Sequence, residues 1–305
     1  MFVKINKLIQ KYKNTSEKIK LKTIDCLDIA NIIGENVVVG GVRRTAEILL
    51  VDDSDEEVIR AKENLYEYKD GNWIPNKDIL HRSMSNNSIY YRSKPTRERL
   101  HWLIEKMRYS GEPGWINEEA GKRRRKNMNG VNPCGEILLD TNGMCNLTTV
   151  NVLGFVQDGI LNIDELLNAQ KLSARAAFRM TQIELELPDW NKVQQRDHIT
   201  GCSLTGWQDM VNATGINKEQ EKEILQQLRQ TAREAINSYC DELGIKDYPD
   251  AITTVKPEGT LSQLPGVSSG IHYSHSPYFI RRVRINASDP LTKVCEELNY
   301  PIYPE

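Results

Sequence analysis

Two thiols with polar neighbours at fixed spacing carry the chemistry this chain could do. Cys134 stands in Asn132-Pro133-Cys134-Gly135-Glu136-Ile137, and Cys145 follows eleven residues later in Cys145-Asn146-Leu147. Asn132 and Glu136 lie two positions to either side of the first thiol. An amide offers a substrate both donors and an acceptor, and a carboxylate within hydrogen-bond reach can take a proton from a hydroxyl. A second thiol can act as reductant once another thiol meets it in space. Pro133 restricts the backbone and removes a donor, while Gly135 permits unusual dihedrals, so together they can present a side chain at the tip of a loop. The ordinary alternative is a buried cysteine beside a capping asparagine and a surface glutamate. A Cys–His protease is a third reading, but none of the five histidines carries a family-specific signature with Cys134.

Three further segments could bind anions. Thr253-Thr254-Val255-Lys256-Pro257-Glu258-Gly259-Thr260-Leu261-Ser262 reads as a strand running into a glycine turn at a helix start. Backbone N–H groups there suit phosphate, and Thr260 and Ser262 add hydroxyl donors. It is not a P-loop, because GxxxxGK[ST] is absent, and an ordinary β-turn is the plain alternative. In Gly40-Gly41-Val42-Arg43-Arg44 two arginines could clamp phosphates bidentately; a turn with two surface arginines is the commoner use. Ser85-Asn86-Asn87-Ser88 reads as a hydrogen-bonded polar turn.

The elements that must position these residues follow from periodicity. Helices are expected over 25–36, with Asp25 as N-cap, over 55–69, ended by Asp70-Gly71, and over 95–109. Longer ones are expected over 164–187, ended by Pro188, and over 218–243, stopped by Gly244. A last helix is expected over 290–298. Strands are expected at 37–39, 46–51, 89–91, 137–139, 198–204, 251–255 and 278–285. Short β runs alternating with long helices argue for α/β architecture with parallel strands.

With 305 residues, the chain can hold one large or two ordinary domains. Hydrophobic residues at 39% and charged residues at 27% fit a soluble globular protein. The net charge of −2 gives no reason to expect a nucleic-acid or membrane partner. The densest basic run, Lys122-Arg123-Arg124-Arg125-Lys126, reads as a solvated helix end. No apolar stretch approaches the ~20 residues of a membrane span, and residues 1–22 lack the continuous apolar segment of a signal peptide. A cytoplasmic location with reduced cysteines is expected. Cys26, Cys202, Cys240 and Cys295 are scattered without a CxxC pairing, which argues against a zinc site and for buried structural thiols.

Taken together, VVVGGVRRTAEI, SNNSI, GEPGWINEEA, NPCGEILL with CNLTTVN, GCSLTGWQD and TTVKPEGTLSQLPGVSSGIHYSHSPYFIRRVRI closely resemble the catalytic chain of ribonucleotide reductases. They occur in that family's order. The likeness is greatest to the adenosylcobalamin-dependent class, and within it to the ribonucleoside-triphosphate reductases; Pro before Cys134 and Gly after it match that class's loop. The resemblance implies a ten-stranded α/β barrel with a cysteine-bearing finger loop through its centre. Residues 25–305 would be a partial catalytic barrel, and residues 1–24 an N-terminal helical extension. Cys134 would become a transient thiyl radical that abstracts the ribose 3′ hydrogen. Glu136 would accept the 3′-hydroxyl proton, Asn132 would hold the substrate, and Cys145 would be one of two thiols that reduce the 2′ position. Glu258, Gly259, Thr260, Leu261 and Ser262 would hold the substrate phosphates, and Gly40, Gly41, Arg43 and Arg44 would relay effector identity to substrate choice.

The implied partners are a ribonucleoside triphosphate substrate, a nucleotide effector, a thioredoxin-like reductant and adenosylcobalamin, most of whose binding site is not expected in this chain. Family members are considerably longer. The partner of Cys145 is expected upstream, and Cys26, on a predicted helix just before the Arg43-Arg44 loop, is in the wrong place for it. Three readings stand: one piece of a reductase that needs complementary chains, a gene fragment without turnover, and a nucleotide-binding module. The intact Asn132, Cys134, Glu136 and Cys145 set favours the first.

Overall fold

The computed structural model describes residues 1–13, 20–36, 46–108, 111–274, 276, 278 and 287–303. The chain divides into two compact units, Met1–Asn117 with Tyr278–Glu305, and Glu118–Pro277. The expected strands at 37–39 and, almost entirely, at 278–285 lie outside the described residues. Among those described, no helix is long and apolar enough to cross a membrane.

The first unit is built on a parallel sheet in which Ser85–Tyr91 lies between Glu47–Val51 and Gly114–Asn117. The helices Thr23–Asn36 and Arg97–Met107 accompany it. Thr96 caps the second of these by accepting the Arg99 N–H at 3.1 Å. Ile24, Leu27, Val51, Val58, Ile59, Ile89, Tyr91 and Leu103 form one buried cluster. Ser85-Asn86-Asn87-Ser88 is a stretch of this central strand rather than a turn before it. Its polar groups are paired: Asn87 Oδ1 accepts from Ser85 Oγ at 3.0 Å, and Asn87 N–H donates to Glu112 Oε2 at 3.2 Å. A polar sequence can therefore be buried at low cost.

The helix expected over 55–69 stops after Glu56–Ile59. The chain then forms an antiparallel hairpin, Tyr66–Lys69 with Asn72–Pro75. Asp70 and Gly71 both take positive φ, 51° and 83°, as a two-residue hairpin turn requires. Asp70-Gly71 thus reverses a strand instead of ending a helix.

The second unit holds the candidate chemistry. Asn146–Asn151 and Thr200–Thr205 pair in parallel, with Leu147 opposite Gly201 and Thr149 opposite Ser203. The expected strand at 251–255 contributes one parallel bridge, Thr253 to Cys202. Thr200–Thr205 is buried along its whole length, as a parallel strand covered on both faces should be. Ile163–Met180 and Lys218–Leu243 pack against each other, burying Ala174, Ala177, Phe178, Ala232, Ala235 and Ile236 with Cys202. Small residues on both helices allow the close approach. Lys218–Leu243 has the predicted bounds: Asn217 forms a capping box with Gln220, and Gly244 closes the end at φ 71°. The helix expected over 164–187 ends instead at Met180. Pro188 opens a separate helix, Pro188–Asp197, at its first position, where its missing N–H costs nothing.

Gly201 is a point of close packing in this unit. A Cβ there would lie 2.5 Å from Leu147 Cδ2, 2.8 Å from Ile137 Cδ1 and 2.9 Å from Thr254 Cγ2. A glycine inside a strand marks such an approach. Gly201→Ala should cost about 1–3 kcal/mol by overpacking, read as a lower urea midpoint with an unchanged slope. An unaltered midpoint would mean that Ile137 does not seat on this strand.

Candidate active site

Cys134 sits at the tip of a hairpin. Gly130–Val131 pairs antiparallel with Leu138–Leu139, and residues 132–137 close the end. The Asn132 C=O accepts the Gly135 N–H at 2.8 Å, so Asn132-Pro133-Cys134-Gly135 forms one turn. Asparagine first, proline second and glycine fourth is the residue order such a turn favours, and Gly135 sits at φ 80°. Asn132 Oδ1 accepts the Ile137 N–H at 2.9 Å. The Asn132 carbonyl is thereby used to shape the loop. Its Nδ2 has no partner among the described residues, so the amide offers a substrate donors only. Cys134 is exposed.

Glu136 is the unusual member. Both of its carboxylate oxygens are buried and neither has a hydrogen-bond partner among the described residues. A buried carboxylate without donors is costly, and a ligand that brings a donor would relieve it. Its backbone, by contrast, is fixed: Thr254 Oγ1 donates to the Glu136 C=O at 2.7 Å. Ile137, 3% exposed, anchors the other side of the tip in the core.

Cys145 immediately precedes the strand Asn146–Asn151 and is half-buried. Burial pushes its thiol up to about 11, Glu136 and Cys134 push in the same direction, and Lys256 opposes them. These charges act on one another, so the hairpin tip, Cys145 and Lys256 share one electrostatic environment. At neutral pH Cys145 is a thiol able to give up a hydrogen, not a thiolate.

The phosphate-turn candidates divide. Ser262 is fully buried, its hydroxyl 2.9 Å from Ser269 Oγ. Glu258 is also buried and turns its carboxylate inward. Oε1 accepts from Thr149 Oγ1 at 2.6 Å, and Oε2 lies 3.4 Å from Lys256 Nζ. Glu258 takes the left-handed backbone at φ 55°, and the Ser262 N–H closes the turn on the Glu258 C=O at 3.1 Å. Gly259, Thr260 and Leu261 are exposed. Among the described residues, the N–H groups of Thr260 and Leu261 have no hydrogen-bond partner. An anion can therefore be met by Thr260 and this backbone, while Glu258 and Ser262 build the turn.

Gly40, Gly41, Arg43 and Arg44 lie outside the described residues. Cys202 and Cys240 are buried thiols as expected, Cys295 is half-buried, and Cys26 is exposed rather than buried: it projects from the solvent side of Thr23–Asn36, whose core contacts are Ile24 and Leu27. The basic run splits likewise. Lys122 and Arg123 pair with Glu118 and Glu119 one helical turn back, but Arg125 is 5% exposed and pairs with Asp197. Thr149 and Gly201 are given no role by the sequence, and Thr254 and Lys256 stand in the 253–262 segment with no role of their own. Only Gly201 carried a local signal, a glycine inside a buried strand.

The family described as "Ribonucleotide reductase, barrel domain" matches residues 11–250. The adenosylcobalamin-dependent ribonucleoside-triphosphate reductase of Lactobacillus acidophilus is 30% identical over 339 aligned positions, covering 100% of this chain and 43% of that protein. The enzyme of that name from Lactobacillus leichmannii is 29% identical, covering 92% of this chain and 40% of its own length. A crystal structure of a B12-dependent (class II) ribonucleotide reductase superposes with a TM-score of 0.76 at 26% identity, covering 99% of this chain and 44% of that one. This mixed α/β fold is that of the family whose barrel-domain model the chain matches. The chain belongs to the ribonucleotide reductase family, and it spans less than half the length of the curated relatives it matches.

The Cys145 environment has a testable pH signature. Its folded value lies above the ordinary thiol value of 9.0, so folding favours the neutral form. That contribution is complete below pH 9 and is lost as pH rises through about 11. Iodoacetamide labelling with peptide mapping should modify Cys134 first near neutral pH and reach Cys145 only as pH approaches 11. In urea, Cys145 should label at the ordinary thiol value. Equal labelling of both thiols at neutral pH in the folded chain would contradict this burial.

Proposed function

We propose that this chain is the catalytic portion of an adenosylcobalamin-dependent ribonucleoside-triphosphate reductase, which converts ribonucleoside triphosphates to 2′-deoxyribonucleoside triphosphates. One observation carries the reading. An exposed thiol and a buried carboxylate with no donor among the described residues share one hairpin tip, and a protonated second thiol lies within reach of their charges. Residues 25–305 are then part of a ten-stranded barrel completed by further polypeptide, with residues 1–24 as an extension, in a cytoplasmic enzyme.

The chemistry that adenosylcobalamin supplies when bound is removal of a hydrogen atom from Cys134. The exposed tip fits that role, since Sγ is open to a group approaching from outside. Cys134 then takes the 3′ hydrogen of the ribose. Glu136 accepts the 3′-hydroxyl proton, which a radical next to it makes more acidic. Asn132 Nδ2 donates to the substrate and holds it. The 2′-hydroxyl leaves as water with a proton from one of two thiols, Cys145 and a partner, and C2′ takes a hydrogen from the other as the two become a disulfide; Glu136 returns its proton to the 3′ oxygen and Cys134 returns the hydrogen to C3′. A thioredoxin-like dithiol restores the pair. The partner thiol comes from the rest of the enzyme. Thr260 and the neighbouring backbone meet the triphosphate, and Gly40, Gly41, Arg43 and Arg44 couple a bound nucleotide effector to substrate choice.

The test is reduction of a ribonucleoside triphosphate with adenosylcobalamin and a dithiol, by this chain alone and with complementary reductase chains. Product is expected in the mixture only. In that mixture Cys134→Ser should abolish turnover and leave nucleotide binding intact; appreciable product from this variant would remove the thiyl assignment. Thr260→Ala should raise KM about fivefold through loss of a charge-assisted hydrogen bond and leave kcat near wild type. An unchanged KM would take Thr260 out of the phosphate site.

A further inference from the structure

Both thiols are referenced to one helix end. The two legs of the Cys134 hairpin are joined at their base, where Asn129 N–H donates to the Leu139 C=O at 2.8 Å and Asn129 Nδ2 donates to Asp140 Oδ1 at 2.6 Å. Asp140 Oδ2 in turn accepts from Arg196 Nη2 at 2.7 Å. The same Nη2 donates to Asp197 Oδ2 at 2.8 Å, and Arg196 Nε donates to Asp197 Oδ1 at 2.6 Å. Asp197 also receives the buried Arg125. On the other thiol's side, Asn146, the residue after Cys145, donates through Nδ2 to the Ile199 C=O at 3.1 Å and to Gln194 Oε1 at 3.3 Å. Gln194, Arg196 and Asp197 form the last turn of Pro188–Asp197. His198 follows in the left-handed conformation at φ 44° and leads directly into Thr200–Thr205.

A surface ion pair would contribute little. Arg196 is 47% exposed, but the carboxylates it binds are only 16% and 10% exposed at Asp140 and Asp197, and one guanidinium binds both. The planar fork of arginine can span two carboxylates in a fixed geometry where lysine's point charge cannot. We propose that Arg196 is a positioning residue of the reaction: by bridging Asp140 to Asp197 it ties the base of the Cys134 hairpin to the helix end that also holds the start of the Cys145 strand, and so sets the distance between the two thiols. This rests on the reading of Cys134 and Cys145 as two thiols that act on the same substrate.

The bifunctional thiol reagent dibromobimane tests it on the complete 305-residue chain. Each thiolate displaces one bromide, and the linked Cys134 and Cys145 peptides are quantified by mass spectrometry at alkaline pH. Arg196→Gln and Asp140→Asn should each lower the linked yield about fivefold, and the double variant should fall no further, because both remove the same bridge. Wild-type yield from the folded single variants would overturn the proposal, as would a double variant whose loss is the product of the two. Should Arg196→Gln fail to fold, Asp140→Asn keeps the side-chain volume and carries the test. The cross-link reads geometry alone, so a failure of the reductase reading would appear in the turnover assay and leave this yield unchanged.

Discussion

The hydrogen bond from the Ile137 N–H to Asn132 Oδ1 is the contact on which the active-site geometry depends. It closes a six-residue tip in which Pro133 fixes one dihedral and Gly135 accepts a backbone that other residues resist. With that bond in place, Cys134 points outward, Ile137 is driven into the core over Gly201, and Glu136 lies between them. Among the described residues the carboxylate finds no donor. An interior that leaves a carboxylate unsatisfied has stored a demand for a partner, and under the proposed function a ligand hydroxyl meets it. Shape and chemistry thus share one cause.

The scaffold under the tip is a parallel sheet with the helices Ile163–Met180 and Lys218–Leu243 packed beside it. The strand Thr200–Thr205 does three jobs. Its Gly201 receives Ile137, its Ser203 hydroxyl accepts the Lys256 N–H at 3.2 Å, and its Cys202 backbone pairs with the segment that runs to the Glu258 turn. The thiol loop and the candidate phosphate turn are therefore registered against the same strand. Thr149 extends this by holding Glu258, so a carboxylate that would repel an anion is turned away and neutralised by Lys256. The turn then presents backbone and Thr260 outward.

Much of this was legible in the sequence, for reasons that are local. Asn132-Pro133-Cys134-Gly135-Glu136 is a turn signature, and the structure forms that turn. Lys218–Leu243 follows from its periodicity and its Gly244 stop. What was not legible depends on residues far apart. Ser262 reads as a surface hydroxyl until Ser269 buries it, and Glu258 reads as a turn residue until Thr149, 109 positions away, donates to its carboxylate. Asp70-Gly71 and Pro188 were read as helix stops because each can end a helix; alternating Tyr66, Tyr68, Trp73 and Ile74 made one a hairpin turn, and the first-turn tolerance of proline made the other a helix start. Ser85-Asn86-Asn87-Ser88 looked too polar for a central strand, and only the side-chain pairing of Asn87 removes that objection. The turn roles, like the pairing of Cys145, sit on contacts that no short motif records.

The most direct measurement of the central claim compares two ligands at Glu136. Calorimetric binding of a ribonucleoside triphosphate and of its 3′-deoxy analogue, to the assembled reductase and to its Glu136→Ala variant, isolates the hydroxyl that the carboxylate awaits. Loss of the 3′-hydroxyl should weaken binding about tenfold in the unmodified protein, as a hydrogen bond to a charged group requires, and change nothing in the variant. Equal affinity for both ligands in the unmodified protein would show that Glu136 does not face the 3′-hydroxyl and would contradict its role as the proton acceptor.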